Sequence, residues 1–478
     1  MGEQGKRGGL IVPVRAGAAL ACMLLVFINT NSVVYPQIAL IWPLAREAAT
    51  WFGVAVMGAI VACANYRPRL LARRWWNAAA LVATAGYVAC CLAGFALRSP
   101  ALVVAGALLD TVAEAWLFVL VYVALSQVGK ERRSLVAAVG CLAAYLTEPL
   151  VQRMDPSAAL ATNALCLAAI FLLTRPLVAR PLDELAAAAP QAELAAANPL
   201  SFLPANHLLY VTILFFSTVQ GIALALSSLD GSGLEPSFAF AALAIVLAAR
   251  LIRKRELNAD VLFGVFALLV LAGMFLIPSN RMLPGALMLT TESFLDAGSA
   301  CFNLLLALLV ANIAARNGIA AVPTAALAIG LAWAGIGVGT LLGYGSAQLT
   351  GASDAALAPV SFVVAMAFAA YCFVALKRFS FEGVVNGIRT AVTPEPPAAP
   401  ASTVHERCER VARERGLTPR ETEVLELLAS GRTVGVIREK LTISLNTARF
   451  HTKNVYAKLG VHSQQELIDL VDEAGREK

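Results

Sequence analysis

Over the first 380 positions the apolar residues of this chain run on with few of the polar interruptions, every three or four residues, that mark a half-buried soluble helix. A bilayer core about 30 Å thick needs about 20 apolar residues per helix. Twelve segments qualify: residues 11–33, 47–65, 76–97, 101–126, 134–152, 157–174, 207–229, 234–252, 260–277, 284–314, 320–345 and 356–376. From residue 404 onward the pattern changes, because charged and apolar residues alternate at helical spacing and predict four short amphipathic helices. Between the two regimes residues 381–403 read as a linker. Its first part, in a stretch from Phe379 to Arg389, is able to continue as a short interfacial helix, and Thr390 to Thr403 is too Pro-rich for helix and favours polyproline II. The expected fold is all-α: a polytopic membrane bundle over 1–380, then a small soluble helical domain over 404–478.

Composition sharpens that division. The 478 residues are 59% hydrophobic and only 14% charged, with a mean hydropathy of +0.72, against about 45–50% and about 25% in a soluble domain. Most of the chain therefore belongs in lipid. Eight of the nine cysteines lie in apolar stretches (Cys22, Cys63, Cys90, Cys91, Cys141, Cys166, Cys301 and Cys372), with no CxxC pair and no zinc spacing. They read as packing residues, so no metal and no cofactor is expected. The first apolar segment lacks a small-residue cleavage site and is followed by further spans, so no cleavable signal is expected either.

Charge in the connections sets the orientation, since cytoplasmic loops retain Lys and Arg. Nineteen of these residues fall on alternate connections, including Arg67, Arg69, Arg73 and Arg74, then Lys130, Arg132 and Arg133, then Arg250 and Arg253. The intervening connections hold Arg46, Arg98, Arg153 and Arg281. This asymmetry predicts a multi-pass protein of the inner (plasma) membrane with both termini in the cytoplasm.

The longest connection, 176–205, is rich in Ala and Pro and splits the membrane part into halves 1–175 and 206–380. The fourth span of each half carries two acids four residues apart, Asp110 with Glu114 and Glu292 with Asp296. Spacing of four places each pair on one helix face, and an acid inside a membrane is costly enough to face a cavity or a partner. If the halves pack about a pseudo-two-fold axis, these four residues line one candidate ligand site, suited to protons or to a cationic or hydrogen-bond-donating small molecule. Pairing of the same acids as structural glue is the alternative, and Glu148 beside Pro149 is read that way. Trp116, Phe118, Tyr122, Phe294 and Phe302 share the two spans. Six-plus-six topology with a cytoplasmic central loop resembles the major facilitator fold. Where transporters of that family carry a signature with Gly and Asp, this chain has Asn-Tyr-Arg-Pro-Arg-Leu-Leu-Ala-Arg-Arg (65–74), without either. That departure counts against transport itself.

The C-terminal pattern is more specific. Thr418 is an N-cap, Pro419 fits the first helical position, and Glu421 stands where a capping box needs it. Gly431 stops this first helix, a second runs from about Thr433 to Leu441, and Ser444 caps a third of about fifteen residues. Ala448, Thr452, Val455 and Leu459 form its buried seam, opposite Asn446, Arg449, Phe450 and Lys453. Gly460 ends it and Ser463 caps a fourth. The run 417–459 resembles a LuxR-type helix-turn-helix. That resemblance implies a third helix in the major groove of promoter DNA, with Arg449, Phe450 and Lys453 as base readers. Ser444, Asn446 and Thr447 lie at its phosphate-facing start, and His451 matches a recurring position. It also implies a homodimer held through the fourth helix, with Leu467, Ile468 and Val471 as candidate contacts. Two departures stand out: Gly435 is expected to weaken the second helix by about 1 kcal/mol, and Arg438 takes a place usually held by Ala.

Together these readings predict a membrane-bound one-component transcriptional regulator, its partners being double-stranded DNA, a small molecule and the lipid bilayer. A secondary transporter with a regulatory DNA-binding tail is the alternative, and a plain membrane anchor a weaker one. No nucleophile triad, phosphate loop or metal cluster is present in the sequence, so an enzyme is not expected.

Overall fold

A computed structural model of the chain describes residues 3–197, 201–204, 206–228, 238–253, 256–282, 291–349, 354–377, 379–388 and 404–473. Every regular element among them is a helix, and the chain divides into two compact units, Met1–Ala391 and Val392–Lys478. The Pro-rich stretch from Thr390 to Thr403 lies outside the described residues.

In the first unit the described residues of all twelve expected spans lie on helices but for a few at the ends. The first half comprises α1 (Glu3–Asn29), α2 (Tyr35–Ala39), α3 (Ala45–Tyr66), α4 (Arg73–Leu97), α5 (Pro100–Ser126), α6 (Lys130–Val151) and α7 (Pro156–Ala187). After α8 (Gln191–Ala197) come α9 (Leu208–Ser228), α10 (Ala239–Arg253), α11 (Ala259–Met282), α12 (Thr291–Arg316), α13 (Ala321–Leu349) and α14 (Asp354–Ala370). Nine helices among the described residues are long and apolar enough to cross a membrane, and Leu208–Ala223 and Pro359–Val374 are shorter apolar helices.

Two local departures have clear causes. Pro36 offers no N–H to the turn before it, and there the helix widens into a π-helical stretch, Thr30–Val34, between α1 and α2. The connection expected to be a long loop is largely helical, since α7 runs on to Ala187 with Pro176 and Pro181 inside it. Alanine is the strongest helix former, and Val178, Leu182 and Leu185 at helical spacing are buried. Arg73 then holds Asp183 at 2.9 Å.

The centre of the unit is set by α5 and α12, which pack against each other. Of their most apolar windows, 78% and 72% are buried, against 28% for α3 and α4. The two helices that carry the predicted acids are therefore the two most buried of the nine long helices among the described residues. On one side α9 and α13 cross at backbone contact. A Cβ at Gly335 would lie 2.5 Å from Leu214 O, and one at Gly339 would overlap Thr218 O. Gly335, Gly339 and Gly343 recur every four residues, the spacing by which membrane helices approach without side chains between them.

At one end the halves are pinned by Arg133 of α6, only 7% exposed. It donates to Ser126 O (3.1 Å), Val128 O (2.8 Å) and Asn312 Oδ1 of α12 (2.6 Å). Arg250 of α10 reaches back to Ser134 Oγ (3.2 Å) and Glu131 O (3.1 Å). A further short helix, α15 (Phe381–Gly387), falls inside the stretch read as linker. Phe381, Val385 and Ile388 are buried, so these residues belong to the first unit and the linker begins after them.

The second unit holds α16 (Val404–Glu414), α17 (Pro419–Ala429), α18 (Val434–Leu441), α19 (Leu445–Leu459) and α20 (Gln464–Glu473). Val424, Leu425, Leu428, Ile437, Ala448, Val455 and Leu459 share one core, which Cys408 and Val411 of α16 complete. Burial pushes the Cys408 thiol up to about 12, so this cysteine is a packing residue without thiolate at neutral pH.

Candidate functional site

A cavity of about 320 Å³ lies inside the first unit, between its two halves. From the first half come Thr30, Asn31 and Ser32 of the π-helical stretch, Tyr35, Arg46, Glu114, Tyr145 and Glu148. From the second come Ser217, Gln220, Asp296, Ser299 and Asn303, with Trp333 on α13. The structure thus brings Glu114 and Asp296 to one cavity, although they are 182 positions apart in sequence. Asp110 is buried one turn from Glu114 and does not line it. The side chain of Glu292 lies outside the described residues. Of the aromatics on the two spans, Phe118, Tyr122 and Phe302 reach the cavity. Trp116 is packed instead, donating to Asn77 Oδ1 at 2.8 Å, and Phe294 stacks edge-on against Phe238.

Behind the cavity wall lies a buried polar chain: Asn29 Nδ2 donates to Asn163 Oδ1 at 2.7 Å, and Asn163 Nδ2 donates to Thr30 Oγ1 at 2.8 Å. Glu114 Oε1 is buried with no partner within the protein. A carboxyl oxygen left so is a standing acceptor for a group arriving in the cavity. Across the cavity Asn303 Nδ2 donates to Tyr145 Oη at 3.0 Å and Gln220 Nε2 to Ser299 Oγ at 3.1 Å, so the facing wall is polar as well.

Sequence reasoning missed part of this wall. Glu148, read as structural glue, lines the cavity, and Arg46, counted only as a loop charge, supplies a cation to it. Tyr35, Tyr145, Gln220 and Asn303 were not singled out. The sequence held one usable signal, since Pro36 marks a break in a span and broken spans expose polar backbone where they line a cavity.

In the second unit the caps form as the residue types require. Thr418 Oγ1 accepts from Glu421 N at 3.4 Å, and Glu421 Oε2 accepts from Thr418 N at 2.8 Å. Lys458, in the last turn of α19, donates to the same carboxylate at 2.8 Å and to Gly416 O at 3.1 Å. The Lys458 ammonium and the Thr418 N–H hold the Glu421 carboxyl down to about 2. This pair, with Glu421 buried and Lys458 reaching in from the exposed side, fixes α19 against the start of α17. Arg420 ties α17 to the end of α18 through Leu441 O at 2.9 Å. The turn between α18 and α19 needs a left-handed residue and uses Thr442, at φ 52°. Gly435, the second residue of α18, has nothing closer to a notional Cβ than Thr433 Oγ1 at 3.9 Å. Ile437 is fully buried despite it, and Arg438 points out to solvent.

Ser444 caps α19 by accepting from Thr447 N at 3.1 Å. Asn446, Thr447, Arg449, Phe450 and Lys453 are all exposed, while Ala448, Thr452, Val455 and Leu459 are buried. Phe450 is 60% exposed, so this large apolar ring adds little to the core. His451 is half-buried with its ring against Phe450. Arg449, Lys453 and Tyr456 border a shallow surface concavity that His462 also joins. Leu467 and Val471, offered as dimer contacts, are 0% and 2% exposed inside the unit's own core, because α20 turns them onto α17. Of the three only Ile468 keeps surface for a second copy.

Residues 415–471 match the family described as bacterial regulatory proteins, luxR family. Those residues are a LuxR-family DNA-binding domain. The chain is 40% identical over 70 residues to an uncharacterized response regulatory protein, YgeK, of Escherichia coli K12, covering 14% of this chain and 48% of that protein. It is 45% identical over 53 residues to the Fimbriae Z protein of the same strain, covering 11% and 25%. The chain therefore spans about half the length of the first relative and a quarter of the second. Among solved structures, that of the human organic anion transporter MFSD10 (TETRAN) is similar with a TM-score of 0.48 at 15% identity, covering 75% of this chain and 98% of that one. The LuxR-family domain includes α17 to α20 nearly whole, and α16 precedes it as an addition that closes its core.

Proposed function

We propose that this chain is a membrane-bound one-component transcriptional regulator that senses a small molecule in the central cavity and binds promoter DNA through α19. The observation that carries the reading is the presence, on one chain, of a LuxR-family DNA-binding domain and a polytopic helical bundle with a carboxyl-lined cavity between its halves. Three carboxyl side chains and one guanidinium face that cavity among aromatic rings. A cationic or amine-bearing small molecule suits it, with Glu114 and Asp296 as ion partners. At α19, Arg449 is placed to span guanine O6 and N7, Phe450 to meet a thymine methyl, and Lys453 to reach a base or phosphate. Ser444, Asn446 and Thr447 hold phosphates at the helix N-terminus, where the dipole favours them. A homodimer on two half-sites, in contact through the outer face of α20 at Ile468, strengthens binding. The excess of Lys and Arg on alternate connections supports a cytoplasmic position for both termini at the inner membrane.

A transcriptional reporter in cells tests this. Arg449→Ala with Lys453→Ala removes regulation entirely. Glu114→Gln with Asp296→Asn leaves promoter occupancy intact but freezes the output at one level. Regulation that survives both pairs of substitutions overturns the reading. A secondary transporter with a DNA-binding tail uses the same cavity, and substrate flux in vesicles that Asp296→Asn abolishes, with the reporter unmoved, favours it.

A further inference from the structure

The last described residues before the Pro-rich stretch are not loose. Asp260, at the start of α11, accepts from Ser380 Oγ at 2.7 Å and from Phe381 N at 2.6 Å, so one carboxylate holds the start of α15. The Phe381 ring is buried against Phe263 of α11 and Phe379, at 5.1 and 4.9 Å between centroids. At the other end of α15, Arg316 in the last turn of α12 donates to Asn386 Oδ1 at 2.7 Å and to Ile388 O at 3.4 Å. Seven residues are too few to hold a helix alone in water, where about 12 or more are needed. Helix in α15 therefore depends on these contacts.

The helix that grips α15 is also the helix that walls the cavity. α12 runs unbroken from Asp296 to Arg316, about 30 Å at 1.5 Å per residue. Along that length it presents Asp296, Ser299 and Asn303 to the cavity, Asn303 to Tyr145 of the other half, and Asn312 to Arg133 of the other half. α11 contributes no residue to the cavity lining, so a shift of α12 at the cavity moves Arg316 relative to Asp260, because a packed helix moves as a rod.

We propose that α15 is a two-state latch. Docked, it is held on α11 by Asp260 and on α12 by Arg316; released, it melts and lengthens the tether to the DNA-binding domain by about 10–15 Å, the difference between helical and extended rise over seven residues. Cavity occupancy selects the state through α12. This deepens the sensor reading and rests on it. A signal then passes as a change in the number of residues left free after the first unit, with no force transmitted along them.

Hydrogen exchange on the full chain in lipid nanodiscs, paired with the cellular reporter, tests the latch. Arg316→Ala and, from the other helix, Asp260→Asn raise exchange across 381–388 at least tenfold and fix the reporter at one level, while α11 and α12 keep their protection. Arg316→Lys restores part of both. Asp296→Asn, some 30 Å away, also changes exchange across 381–388. Exchange there that ignores Arg316→Ala and Asp260→Asn overturns the latch. A reporter that follows Asp296→Asn but not Arg316→Ala sinks the latch alone, and one that ignores both sinks the sensor reading with it.

Discussion

The cavity and the exposed face of α19 place functional side chains in opposite physical situations. On α19, Arg449, Phe450 and Lys453 stand in water on a helix whose stability comes from the other side, so they are free of the fold. At the cavity, Asn163 and Thr30 are buried and Glu114 is half-buried with its Oε1 out of solvent, and their positions depend on how several spans pack. The difference teaches that a recognition surface can be changed without touching its scaffold, whereas a buried polar site is part of the scaffold.

The largest expected effect comes from the bundle's shape. Gly339→Val forces a side chain into Thr218 O at the α9–α13 crossing. It is expected to cost about 3 kcal/mol or more, read as a fall in the thermal midpoint of the full chain in detergent. No substitution on the exposed face of α19 should approach that. Arg449→Ala is expected instead to weaken specific DNA binding by about 1–3 kcal/mol with the melting of the C-terminal unit unchanged, measured by anisotropy against operator and scrambled duplexes. Lys453→Ala should weaken both duplexes alike and flatten the salt dependence by about one ion.

The buried exception inside the C-terminal unit sharpens the contrast. Lys458→Ala strips the cation from Glu421 and is expected to cost about 1–2 kcal/mol. The pH dependence has a definite sign. Because the Glu421 carboxyl is held down from 4.5 to about 2, its stabilisation is complete above about pH 4.5 and is lost as pH falls toward 2. Acid titration of the excised unit checks this, and Lys458→Ala should remove much of the slope between those values. The smallest effect is a gain: Thr442→Gly relieves a β-branched residue at φ 52° and should add about 1 kcal/mol, with operator affinity unchanged.

Legibility followed the same divide. The caps at Thr418, Ser444 and Ser463, the stop at Gly431 and the seam from Ala448 to Leu459 were readable because each depends on neighbours within one or two turns. Leu467 and Val471 were misplaced because an apolar stripe does not say which of two faces the core takes. The extension of α7 was hidden by its prolines, although alanine propensity and the buried spacing of Val178, Leu182 and Leu185 pointed to it.

By itself the sequence determined an all-helical chain in two solvents, the start and stop of each DNA-binding helix, and the placing of acids on two membrane helices. Local free energies of capping, propensity and transfer into lipid act residue by residue, and so they are written in order along the chain. Tertiary structure alone decided that Glu114 and Asp296 share a cavity with Glu148 and Arg46, that Asp110 does not, and that α15 rests on Asp260 and Arg316. Those outcomes depend on contacts between residues scores of positions apart, and no periodicity within a single helix encodes which partner it will meet.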